Sequence, residues 1–176
     1  MLIMPIFAKD ILHGGPHTLG FLMGGAGAGA LMGAIYLASR KSILGLEKWI
    51  ALAASIFGIG LIAFSFSRVF WFSFLLMLLT GFGMMLQHAS SNTVLQTIVD
   101  EDKRGRVMSL YVMSMRGMAP FGSLLIGGLA SKMGAPYALM IGGVSCILGS
   151  LMFARKLPLL KEMIRPIYVR MGIIRR

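Results

Sequence analysis

Gln87–Arg116, QHASSNTVLQTIVDEDKRGRVMSLYVMSMR, decides how this chain is to be read. Polar side chains run far into one apolar segment of membrane length. A short charged stretch follows, and the next apolar segment carries a lone arginine ten residues in. The chain avoids charge almost everywhere else, so function is sought here.

Working outward, hydrophobic residues make up 57% of the 176 and charged residues 13%, against roughly 45–50% and about 25% in soluble domains. Five segments, 18–39, 49–67, 69–97, 107–131 and 135–154, are long and nearly free of charge. Each reaches the roughly 18–20 residues that a helix needs to cross a hydrocarbon core about 30 Å thick. They are apolar all round, whereas the outer helices of a soluble bundle need a polar face at 3.6-residue spacing. The sequence therefore predicts an all-α, multi-pass membrane protein.

A net charge of +11 raises the question of nucleic acid, but the placement of the charge answers it. With each segment crossing once, one side holds Arg40, Lys41, Lys48, Lys103, Arg104, Arg106 and the seven basic residues from Arg155 to Arg176. The other side holds Lys9, Arg68 and Lys132. This is the positive-inside pattern, so the basic side and the C-terminus are expected to be cytoplasmic in a cell (inner or plasma) membrane. Anionic lipid headgroups account for the basic tail, residues 155–176, which is expected to lie at the membrane surface with Pro158 and Pro166 as breaks. No basic patch interleaved with stacking aromatics supports nucleic-acid binding. Cys146 is the only cysteine, so no intrachain disulfide is possible.

Met1–Ala8 is apolar but only about 12 Å long as a helix. With Lys9 and Asp10 on the outer side, residues 1–12 are expected to be the outer end of a helix whose remainder lies upstream. A short interfacial anchor is the alternative. His13–His17 reads as a turn from its Gly and Pro content. Gly25, Gly29 and Gly33 recur at fours along the first full span and lay a smooth strip on which another backbone can approach closely. Gly134–Ala135–Pro136 reads as a helix stop and restart.

His88, Asn92 and Gln96 share one face of the third span, with Gln87 and Ser91 beside it. Ser109, Arg116 and Ser123 recur at sevens on the fourth. Counted at 1.5 Å per residue, His88 is about 13 Å deep and Arg116 about 14 Å, near mid-membrane on adjacent antiparallel helices. An arginine at that depth costs about 2.5 kcal/mol even on the lenient insertion scale, so it is expected to face the bundle interior or a watery cavity. Arg116 then either meets an anionic solute or an acidic partner from elsewhere, or binds backbone carbonyls and Gln or Ser side chains as structural glue. His88 either bonds helix to helix, or relays protons or touches substrate; Asn92 and Gln96 read first as packing polar groups. No HExxH motif, nucleophile elbow or carboxylate pair lies in a span, and three scattered histidines with one cysteine make no metal site, so neither an enzyme nor a cofactor is expected.

SNTVLQTIVDEDKRGRVMSLY, with Asp100, Asp102, Arg104, Gly105 and Arg106 as a cytoplasmic loop, resembles the corresponding loop of major facilitator superfamily permeases. GMAPFGSLLIGGLASKMGAPYALMIGG and the glycine-laden first span leading to Ser-Arg-Lys add to the resemblance. The tail RPIYVRMGII is similar to that of the transmembrane secretion effector branch, which includes enterobactin exporters. The resemblance implies a protein of two six-helix halves with the substrate site between them. This chain would be the C-terminal half: the end of helix seven in residues 1–12, then five full spans. It implies proton-coupled export of a small organic solute, siderophore or drug-like, in partnership with an N-terminal half and membrane lipid. The rival expectation is a non-transporting membrane interaction subunit or an inactive gene fragment.

Overall fold

The computed structural model describes Pro5, Phe7 and residues 14–40 and 42–170; the rest of the expected partial helix 1–12 lies outside the described residues. Among them the regular elements are five helices: α1 (Pro16–Ala38), α2 (Leu46–Phe66), α3 (Phe70–Ile98), α4 (Glu101–Met133) and α5 (Ala135–Arg170). Four of these, α1, α2, α3 and α5, are long and apolar enough to cross a membrane. At 33 residues α4 is long enough, but its serines, glycines and Arg116 make it less apolar than the others.

The helix ends follow local chemistry. Pro16 occupies the first turn of α1, where its missing N–H is no loss. Gly45 before α2 and Gly134 between α4 and α5 sit at φ 82° and 89°, a region that side-chain-bearing residues avoid. Between α2 and α3 only residues 67–69 intervene, and the buried Ser67 and Ser73 hydroxyls meet at 2.7 Å across that corner.

Two expected boundaries are corrected. The charged stretch is not a loop from Asp100 to Arg106: only Val99 and Asp100 separate α3 from α4, and Asp102, Arg104, Gly105 and Arg106 are helical. Glu101 and Asp102 sit in the first turn, where acidic side chains complement the helix dipole, and Lys132 does the same in the last turn. The prolines of the tail do not break it either. Helix α5 runs on through Pro158 and Pro166 to Arg170, because its other residues keep helical spacing and one apolar face has a seat to fill.

Helix α3 is central, packed on α1 along one side and α2 along another; α2 also packs on α5. Glycine sets these distances. Leu22, Gly25, Gly29 and Gly33 form the buried face of α1. A Cβ at Gly29 would collide with the Leu78 carbonyl of α3, and one at Gly33 would stand 3.0 Å from the Phe82 carbonyl oxygen. In return Gly81 of α3 lies against the Ala26 carbonyl, and Gly83 faces the α2 backbone at Ala53 and Phe57. Lipid is as apolar as leucine, so close backbone approach, rather than apolar burial, selects these helix pairs. Phe7, Leu22, Phe64, Leu76, Met77, Ala135 and Ala138 form one buried cluster, in which the Phe7 and Phe64 rings stand 4.4 Å apart. A second cluster of Leu46, Val94, Ile164 and Tyr168 lies at the other end.

Helix α4 stands apart. It has no buried residue. Its contact is chiefly with α5, where Ile126, Leu129 and Ala130 reach the first cluster.

Candidate functional site

The polar stretch of α3 leads into a cavity of about 410 Å³ between α2, α3 and α5, within the usual range for a small-molecule site. Gln87 and His88 supply its polar edge on α3. Ile50, Ala51, Ala54, Phe57, Met84 and Phe153 make most of the wall, and Cys146, Gly149 and Ser150 complete it from α5. Both Gln87 and His88 are half-buried. Next to the cavity, Ser55 of α2 and Ser150 of α5 meet at 2.6 Å, with the Ala51 carbonyl 2.7 Å from the Ser150 hydroxyl and 3.1 Å from that of Ser55. Each hydroxyl has one proton, so one donates to the carbonyl and the other to its fellow hydroxyl.

The remaining polar residues of α3 turn elsewhere. The Gln96 amide nitrogen donates to the Asn92 side-chain oxygen at 3.3 Å, an exposed bond one helical turn long. Ser90 is fully buried, and its hydroxyl finds no partner among the described residues.

Arg116 does not share the His88 cavity. It is exposed, midway along α4, with Ser109 exposed above it and Ser123 half-buried below. Contact between α3 and α4 is slight, so the equal depth expected from counting residues does not make His88 and Arg116 neighbours. The hydroxyls of Ser109 and Ser123 donate to their own helix, to the carbonyls of Gly105 and Pro120. Among the described residues no carboxylate pairs with Arg116. At the head of α4, Arg104 lies 3.9 Å from Glu101, an exposed pair one turn apart that contributes little. Asp100 is the residue preceding the helix, and its side chain makes no capping bond.

One acidic side chain has no counterpart among the residues that the sequence singles out. Glu47, in the first turn of α2, is 7% exposed, with Oε1 4.0 Å from Lys161 Nζ. Its neighbour Trp49 lies 5.2 Å from the Tyr36 ring and 5.6 Å from the Arg40 guanidinium, and so ties the end of α1 to α2. Trp71, by contrast, is 76% exposed. Among the described residues no three His, Cys, Asp or Glu side chains converge as a metal site would need.

Comparison with known proteins supplies the family. The chain is 26% identical over 151 residues to the staphyloferrin A transporter of Staphylococcus aureus (strain NCTC 8325 / PS 47), covering 86% of this chain and 38% of that protein. It is 28% identical over 114 residues to the D-xylose transporter of Levilactobacillus brevis, covering 64% of this chain and 25% of that one. The chain thus spans well under half the length of either relative. No solved structure gives a significant match. Both relatives are named as transporters rather than enzymes, and the family model described as transmembrane secretion effector matches residues 1–166. A chain whose described residues are all-α, with four helices among them able to span a membrane, and which matches that model over nearly its whole length, belongs to the transmembrane secretion effector family of major facilitator permeases.

Proposed function

We propose that this chain is the C-terminal half of a proton-coupled exporter that moves a small organic solute, siderophore or drug-like, outward across the inner or plasma membrane. Its basic connections and C-terminus face the cytoplasm in this reading, and residues 18–39, 49–67, 69–97, 107–131 and 135–154 are its five crossings. The carrying observation is α4, a helix of membrane length with no buried residue and an exposed arginine at its middle. A lipid-facing helix does not keep an arginine at that depth, whereas a helix opposite a second half across a solvated cavity does. Arg116 is the residue we assign to an anionic solute. His88 and Gln87 serve from a separate cavity, as a proton relay or a supporting polar contact. Names of the relatives agree with a small solute and differ on which one.

The test uses inside-out vesicles and a catecholate siderophore labelled with radio-iron. Vesicles bearing this chain joined to an upstream six-helix half and the remainder of helix seven should accumulate label when acidified inside, and Arg116→Ala should remove that accumulation without lowering the amount of protein. This chain alone should give none, since one half cannot enclose a solute between two halves. Accumulation by the chain alone, abolished by Arg116→Ala, would overturn the half-transporter reading. The same exposed α4 also suits a non-transporting interaction subunit, which would show no Arg116-dependent flux in either form.

A further inference from the structure

The end of α5 carries a polar cluster with no place in the transport function proposed for Arg116 and His88. Lys161, Ile164 and Tyr168 lie at i, i+3 and i+7, so one helical face turns toward α2 and α3. Ile164 and Tyr168 are 5% and 4% exposed, sealed against Leu46 and Val94, with Leu37 of α1, Ile43, Ile50 and Ile98 around them. Into this apolar seat the first turn of α2 brings Glu47. One of its oxygens faces Lys161; the other, Oε2, is buried and has no hydrogen-bond partner among the described residues. The Tyr168 hydroxyl is likewise buried and unpartnered among the described residues, in the same cluster as Leu46, the residue before Glu47. A carboxylate only accepts and a phenol O–H donates, while leaving both unmade in an apolar seat costs each its desolvation.

We propose that Glu47, Lys161 and Tyr168 form a polar lock. The Tyr168 O–H donates to Glu47 Oε2 after a side-chain rotation, while Lys161 holds Oε1. The locked stretch of α5, residues 157–170, is a strap across the ends of α1, α2 and α3. It makes that end of the four helices one body, whatever the solute and whatever the partner half. The device lies at the opposite end of α2 from the Phe7–Phe64 cluster.

The test is thiol protection in native membranes, with Cys146→Ser removing the only natural cysteine and Ile164→Cys as reporter. The reporter should be protected from a small maleimide in the otherwise unaltered chain. Tyr168→Phe keeps the ring in its seat and removes only the hydroxyl; Glu47→Gln keeps the shape and removes the charge. Each should raise the labelling rate between about threefold and tenfold, the population change expected from one hydrogen bond of ordinary net worth. A tail held by apolar contact alone would leave both rates unchanged, and that result overturns the lock. Should the reporter fail to accumulate, the charge swap decides. Glu47→Lys and Lys161→Glu should each lower the thermal stability of the detergent-purified chain and together restore it; a double variant no better than the singles overturns the proposal.

Discussion

Gly58 of α2 and Gly143 of α5 face each other so closely that neither leaves room for a methyl group on the other. A Cβ on Gly58 would stand 2.8 Å from the Gly143 carbonyl oxygen, and one on Gly143 2.6 Å from that of Gly58. Backbone atoms, not flexible side-chain ends, supply both contacts, so the helices must separate to accept an alanine. Forced overpacking of this kind costs about 1–3 kcal/mol. Gly143→Ala should therefore lower stability in a mild-detergent unfolding titration by about that amount. An unchanged midpoint would mean that α2 and α5 do not meet at this crossing.

The glycines of α1 divide into two sets that composition alone cannot separate. Gly29 lies against the Leu78 carbonyl, whereas a methyl group added at Gly24 or Gly27 would meet nothing within 4 Å. Alanine at Gly24 should be neutral or stabilising by up to about 1 kcal/mol, the gain in helix propensity. Alanine at Gly29 should destabilise by about 1–3 kcal/mol. Comparing the two unfolding midpoints checks the face of α1 on which α3 packs, and equal shifts would refute it.

That division shows how far the sequence reaches. The glycine spacing at 25, 29 and 33 announces a close approach, since small residues are the main packing signal when lipid and protein are equally apolar. The partner of that strip is not legible, because an apolar face gives no hint of which other apolar face it meets. Charge misleads at Lys103–Arg106: a charged run reads as a loop, yet an acidic first turn favours a helix start. Proline misleads at 158 and 166, where the apolar positions 157, 160, 164 and 168 keep helical spacing past both breaks. For Arg116 and His88 the sequence offers an expected depth and no azimuth. Length along a helix follows from counting, whereas the direction a side chain faces depends on neighbours far away in sequence. Glu47 is invisible for the same reason, its partner Lys161 lying on the last helix.

Ser55 and Ser150 carry a measurable coupling. Their hydroxyls and the Ala51 carbonyl form a three-membered bridge between α2 and α5 beside the cavity. Either alanine substitution removes the contact between the hydroxyls and leaves the remaining serine free to bond the carbonyl. A double-mutant cycle should thus return a modest coupling of about 0.6 kcal/mol, the average for interhelical bonds in lipid, with about 1.7 kcal/mol as the upper end. Zero coupling would indicate that the two hydroxyls do not meet.

Cys146 offers a direct view of the His88 cavity, because it is half-buried, lines that cavity and is the only thiol in the chain. A small membrane-permeant maleimide should reach it, and a bulky impermeant one should not. His88→Trp puts an indole into the space beside it and should slow the small reagent severalfold. Arg116→Ala changes an exposed side chain that does not line the cavity, so it should leave the rate unaltered. The two variants thus separate what equal depth would have merged. If Arg116→Ala alters the labelling of Cys146 as strongly as His88→Trp does, the two residues border one continuous space, and the assignment of solute to α4 alone fails.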